Sequence, residues 1–323
     1  MTSSPIDMPE FAEFLKKIGA VSSNELGNLL HVFPVNDLDP DIKCEFYLMR
    51  CEERDIREDD FIEFLCENLI DFTLAYAETQ PPAETYTKEQ LHKFYRKKAA
   101  RMVSQSKSYF IKKSEYSGEL GELFLFVVLE SKGIVQLLNK MNLKTSPEMP
   151  IHGWDAIHIG VEENKRIVLH YGYSKMHKGF SEGLASAIKE VNDFSKSKSR
   201  EKYELNLVSS HLDNEKFNTY SEAIRILLSP YARHKQNLMK AHSIFIGYEW
   251  VELKNHIPPK PSNLEDHLIS KYKATHEKNA VKIKQQIRSL PNASEYTFFV
   301  CVLPFADLKG IRSKFMKKIE QAS

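Results

Sequence analysis

The sequence predicts an α/β fold, a mixed sheet flanked by helices, with a mainly helical N-terminal region. Three observations carry this. Apolar residues recur at helical spacing over 8–19 (Met8, Phe11, Phe14, Leu15, Ile18) and again over 61–72 (Phe61, Phe64, Leu65, Leu69, Phe72). From residue 118 onward, helix-period segments alternate with extended ones, the pattern of a sheet with helices on its faces. Apolar residues make up 42% of the 323-residue chain, enough to bury a substantial core.

In order, 44–49 reads as extended, and Glu58-Asp59-Asp60 opens a helix whose acidic first turn suits the helix dipole. Pro81-Pro82 ends that helix. Residues 118–130 form a nearly continuous apolar helix that must be buried on most sides. Two strands, 155–161 and 166–171, surround the polar turn Glu162-Glu163-Asn164-Lys165, which places Asp155 roughly opposite Gly172 and beside Tyr173. An amphipathic helix follows over 180–199 (Leu184, Ile188, Val191, Phe194), then a helix over 221–234 and a strand over 242–248. After Pro258-Pro259 come a long charged helix at 263–289, a buried strand at 296–303 and a basic helix at 308–319. The expected division is a helical cap or partner region over 1–114 and a catalytic-type domain over 115–323.

With 45 Lys+Arg against 44 Asp+Glu there is no global field to attract nucleic acid, so any such surface is local. Charge is nonetheless segregated: 51–63 holds seven acids, and 92–113 holds eight Lys/Arg and no acid. Within the basic stretch, Lys93, Arg96, Lys97, Lys98 and Arg101 are interleaved with Phe94 and Tyr95. Such a stretch either tracks a phosphate backbone, releasing counterions as it binds, or is a solvated face or one that pairs with the acidic helix before it. Four cysteines without CxxC spacing point to reduced thiols in a reducing compartment. The N-terminus has no signal-peptide pattern, and the most apolar run, 123–129, is too short to span a bilayer. A soluble cytoplasmic protein with no membrane partner is expected.

The chemistry concentrates in three places: Glu119 and Glu122 on the apolar helix, Asp155 at the head of one strand, and Tyr173-Ser174-Lys175 at the end of the next. Strand alternation puts Tyr173 and Lys175 on one face. Phosphodiester hydrolysis needs a polarised phosphoryl oxygen, an activated water and stabilisation of the transition-state charge, which carboxylates holding Mg²⁺ or Mn²⁺ and a nearby lysine supply. Asp155 then serves as a metal ligand, Glu122 or Glu119 as a second, the Ser174 carbonyl as a third, and Lys175 faces the scissile phosphate. The bland alternative leaves the two glutamates at a solvated helix end. A neutral phenol at 173 is a poor ligand for magnesium. Three outcomes stay open: a metal held by Asp155 and Glu122 alone, an acid supplied by the next helix (Glu182 or Glu190), or little hydrolytic activity. His158 and His170 either flank this site or are satisfied strand histidines. No HExxH, GxxxxGK[ST], GxGxxG or GxSxG pattern is present, against a zincin, a P-loop NTPase, a dinucleotide enzyme or a serine hydrolase. Cys301, in an apolar strand, suits a packed thiol.

A helix with inward acids, a strand with an aspartate and a second strand ending in lysine is the order of parts in the PD-(D/E)XK nucleases. The Gly118-Glu119-Leu120-Gly121-Glu122 helix, the Gly153-Trp154-Asp155-Ala156-Ile157-His158-Ile159 stretch and Ser174-Lys175 before an amphipathic helix resemble the nuclease subunit of Hachiman anti-phage defence, HamA. The resemblance covers 115–323. It implies a PD-(D/E)XK-like sheet and a metal-dependent DNA endonuclease-type effector, held by a partner helicase (superfamily 2, HamB-like) until phage DNA is sensed. The acid of the family's Glu-Ser-Lys falls on Tyr173. The resemblance therefore also admits a catalytically weakened or inactive subunit that binds a helicase and DNA as a regulatory or structural component.

Overall fold

A computed structural model of the chain describes residues 6–53, 55–79, 87–110, 118–138, 155–162, 166–229, 238–254 and 264–321. Two short helices, α1 (Met8–Ile18) and α2 (Ser23–Leu29), lead into β1 (Leu30–Asp39) and β2 (Ile42–Met49). Ser22 and Glu25 form a reciprocal capping box at the start of α2, which fixes where that helix begins. A small ladder, β3 (Cys51–Glu52) with β4 (Asp55–Ile56), precedes α3 (Glu58–Glu67), α4 (Leu69–Thr73), α5 (Tyr76–Thr79) and the long α6 (Lys88–Ser108). Next come α7 (Glu119–Glu130), β5 (Val135–Gln136), β6 (Ala156–Val161) and β7 (Ile167–His177). They are followed by α8 (Phe180–Ser195), α9 (Lys198–His211), α10 (Asn214–Phe217) and α11 (Ser221–Leu228). The chain closes with β8 (Leu238–Glu249), α12 (Val251–Lys254), α13 (Leu264–Arg288), β9 (Thr297–Phe305) and α14 (Leu308–Gln321).

Seven strands form one sheet in the order β1-β2-β9-β8-β7-β6-β5. The inner four, β2, β9, β8 and β7, are mutually parallel, and antiparallel pairs extend the sheet at both edges. Parallel strands covered on both faces read as continuous apolar runs, and β9 (Thr-Phe-Phe-Val-Cys-Val-Leu-Pro-Phe) is buried throughout after its first residue. One face packs against α1, α8 and α13 through Phe11, Leu15, Tyr171, Leu184, Val191, Ile244 and Tyr272. The other packs against α3, α4, α7 and α14 through Phe61, Leu65, Phe72, Phe124, Phe245, Leu303 and Phe315.

The mixed sheet with flanking helices is the expected architecture. The sheet also crosses the expected division at 114: β2 pairs in parallel with β9, so residues from both ends of the chain share one core. β1 was not legible because Pro34 interrupts its pattern, and proline is tolerated there because β1 is an edge strand. α9 has almost no apolar stripe; only Glu204 and Val208 are buried along it. The expected turn at 163–165, Gly153, Trp154, the two Pro-Pro breaks, Lys112, Lys113 and the end of the 221–234 helix lie outside the described residues.

Candidate active site at the end of the β6–β7 hairpin

β6 and β7 pair antiparallel from Ala156 opposite Gly172 to Val161 opposite Ile167. Asp155 thus lies one residue beyond the last pair, rather than opposite Gly172. Its amide donates to the Gly172 carbonyl at 3.0 Å, and its carboxylate accepts from the Ser174 amide at 2.7 Å. The backbone of β7 therefore fixes both the position and the orientation of Asp155, as a carboxylate accepting an N–H requires.

α7 crosses this end of the hairpin at close range. A Cβ on Gly172 would come within 2.9 Å of the Ala156 Cβ and 3.1 Å of the Leu125 side chain, and a Cβ on Gly121 would overlap the Ser174 hydroxyl. Only glycine permits this approach. It places the N-terminal turn of α7 over Ser174, and every residue of the helix is buried except Glu122. Glu119 is buried at 2% exposure.

Lys175 and Tyr173 project to the opposite face, toward α8. The Lys175 ammonium lies 2.5 Å from a carboxylate oxygen of Glu190 on α8. Burial alone would lower the lysine's pKa, but the charges of Asp155, Glu190 and Glu122 outweigh it and hold the group above its ordinary value. The same lysine thus feels the hairpin aspartate, the α8 glutamate and Glu122 of α7. Of the two α7 acids expected to compete for the site, Glu122 is the partly exposed one, and its charge is among those that raise the Lys175 pKa, whereas Glu119 is buried.

Tyr173 is a core residue, 1% exposed, with its hydroxyl 3.1 Å from Nδ1 of His242 on β8. Burial raises its pKa well above the ordinary phenol value, and the negative charges of Glu190 and Asp155 push the same way. It is neutral, and its oxygen is engaged with the histidine. His242 was not anticipated, since a lone histidine in an apolar strand carries no distinguishing pattern. Burial holds its pKa down at about 3.

The donor set suits a hard divalent cation, being oxygen throughout: Asp155, Glu122, Glu190 and the Ser174 carbonyl. Among the described residues no three His, Cys, Asp or Glu side chains converge as a ready-made metal cage. Mg²⁺ does not need one, because it typically takes one or two carboxylates and completes its shell with water and phosphate oxygens. Residues and ion are compatible on those terms.

His158 and His170 do not join this constellation. They face each other across the hairpin two residues further in, buried on the α7 side, with His158 beside Phe126. His170 meets the Ser243 hydroxyl at 2.9 Å. His158 is not a satisfied strand histidine: neither ring nitrogen has a hydrogen-bond partner among the described residues. Cys301 is packed as expected, its thiol donating to the Ile244 carbonyl at 3.5 Å.

The basic stretch forms α6. A Thr87–Gln90 capping box starts the helix, and no residue of 87–101 is buried, so Lys93, Arg96, Lys97 and Arg101 stand exposed with Tyr95. Among the described residues no acid of α3 forms an ion pair with α6. Glu58, Asp59 and Glu63 pair instead with Lys314 and Lys318 of α14.

No helix of the described residues is long and apolar enough to cross a membrane. A protein-family model, HamA, matches residues 26–319. No curated protein matches the chain.

Proposed function

The chain belongs to the HamA family, which makes it a subunit of a Hachiman anti-phage defence system, and from that premise we propose that it is the system's metal-dependent deoxyribonuclease, restrained by a helicase partner. The observation that carries this reading is the setting of Lys175, paired at 2.5 Å with Glu190 on α8 and acted on by the charges of Asp155 on the hairpin and Glu122 on α7.

In this reading Mg²⁺ or Mn²⁺, when bound, polarises the phosphoryl oxygen and activates the attacking water. Asp155, Glu122 and the Ser174 carbonyl would hold it from the hairpin and α7. The Ser174 amide holds the Asp155 carboxylate in one orientation, so its lone pairs are positioned before substrate arrives. The surrounding carboxylates favour the charged form of Lys175. It faces the scissile phosphate, where a positive charge stabilises the negative charge that builds there. The cations of α6 (Lys93, Arg96, Lys97, Lys98, Arg101) track the DNA backbone outside the site. A superfamily 2-type helicase, HamB-like, holds the subunit until phage DNA is sensed.

The burial of Tyr173, which leaves the hairpin without an acid two residues before the lysine, favours a second reading: a nuclease-fold subunit that docks on the helicase and DNA without cutting.

Cleavage of supercoiled and linear DNA by the chain co-purified with its helicase separates the two. The nuclease reading expects degradation in Mg²⁺ or Mn²⁺ that stops with a chelator and with Lys175→Ala. Intact DNA in both metals, with the phage trigger present, refutes it.

A further inference from the structure

We propose that Glu190 is a catalytic carboxylate of this site, the partner of Asp155 in holding the divalent cation and reaching it from α8 rather than from the hairpin. The proposal rests on the nuclease reading and adds a residue to it.

Placement is the first argument. After the turn at 178–179, α8 runs back along β7, with Gly183 against Ile246 and His177 near its start and Phe194 against the Tyr171 ring near its end. Glu190 falls between these contacts, on the Tyr173–Lys175 face, with its carboxylate 2.5 Å from the lysine. Along the helix it stands three residues from buried Ala187 and four from buried Phe194, so it edges the stripe that faces the sheet. Glu182, the other candidate acid of α8, is exposed and turned back over Gly179 in the first helical turn. It lies about half a helical turn round from the buried Val191.

Chemistry is the second. Tyr173, the neighbouring side chain on the same strand face, cannot supply an anionic oxygen. Its phenol is neutral, buried and hydrogen-bonded to His242. The Glu190 carboxylate lies 2.5 Å from the Lys175 ammonium, on the strand face from which Tyr173 also projects, and its charge acts on both groups. Asp155 acts on the same two groups from the hairpin end. Carboxylates are what Mg²⁺ takes from protein, with water and phosphate oxygens completing its shell.

The test is Mn²⁺ binding followed by calorimetry on the full chain, with DNA cleavage by the helicase complex and thermal melting measured beside it. Glu190→Gln, nearly isosteric, is expected to weaken Mn²⁺ binding at least about tenfold and to cut cleavage by about a hundredfold or more. Glu182→Gln should change neither. The double variant Tyr173→Glu, Glu190→Gln moves the acid to the strand and is expected to recover Mn²⁺ binding relative to Glu190→Gln. If the unaltered chain binds Mn²⁺ and cuts DNA, and a folded Glu190→Gln does so equally well, the role of Glu190 is refuted and the nuclease reading stands. If the unaltered chain neither binds Mn²⁺ nor cuts, both fall together.

Discussion

The Tyr173 hydroxyl lies 3.1 Å from Nδ1 of His242, and both side chains are sealed inside the sheet–helix interface. A residue that the sequence places in the middle of a catalytic motif is thus spent on holding β7 to β8. Tyr173→Phe keeps the ring and removes the hydroxyl, leaving the histidine without that partner. We expect a loss of about 1–2 kcal/mol in urea unfolding, with DNA cleavage unchanged. A cleavage loss out of proportion to the stability loss would give the phenol a part in the chemistry.

Gly121 is where α7 passes closest to β7. Gly121→Ala drives a methyl group into the Ser174 hydroxyl and within 3.2 Å of Met176, and should cost about 1–3 kcal/mol as overpacking. The Ser174 oxygen is buried without a hydrogen-bond partner among the described residues, so Ser174→Ala alone should cost little. The double variant should regain part of the loss. Strict additivity in the double-mutant cycle would refute the close approach as the cause.

Burial keeps three strand histidines neutral: His170 and His242 titrate at about 3, and His158 well below its ordinary value. A depressed folded pKa means that the unfolded chain takes up protons first as pH falls. Stability is therefore full above about 6.5, the unfolded value, and is lost as pH drops toward the folded values, each histidine contributing about 1.4 kcal/mol per pH unit in that window. Urea midpoints at pH 7 and pH 5 measure the slope. His158→Leu removes a ring with no hydrogen-bond partner among the described residues, and should flatten the slope by about one proton. An unchanged slope would mean that this histidine is charged in the folded chain.

The exposed cations of α6 should act on the phosphate backbone alone. Reversing Lys93, Arg96 and Lys97 to glutamate should weaken binding of any DNA sequence and reduce the slope of log affinity against log salt by about 0.9 for each phosphate that is no longer neutralised. Circular dichroism should stay unchanged, because none of the three side chains is buried. Anisotropy titrations at several salt concentrations read this directly; full retention of affinity and slope would assign the helix to another partner.

Much of the fold was legible because its elements obey simple periodicities. The apolar run of β9, the stripe of α8 and the all-round burial of α7 can each be read from residue spacing. β1 was hidden by Pro34, and the sheet order, in which β2 joins β9, is a long-range pairing that no local pattern encodes. At the site, Asp155 and Lys175 were marked by strand ends and alternation. Which glutamates of α7 and α8 act on Lys175 depends on how those helices lie across the sheet, which spacing alone leaves open. The engagement of Tyr173 by His242 depends on the register of β7 with β8, and it too is visible only once the chain is folded.

The most direct test of the central claim is phage plating on cells carrying the complete defence system with Asp155→Asn in this subunit, scored beside co-purification of the subunit with the helicase proposed as its partner. The substitution keeps the size of the side chain and removes the charge that acts on Lys175. If the hairpin end is a phosphodiesterase site, protection and phage-DNA degradation are lost while the complex still assembles. Protection at the unaltered level from an assembled complex would contradict it.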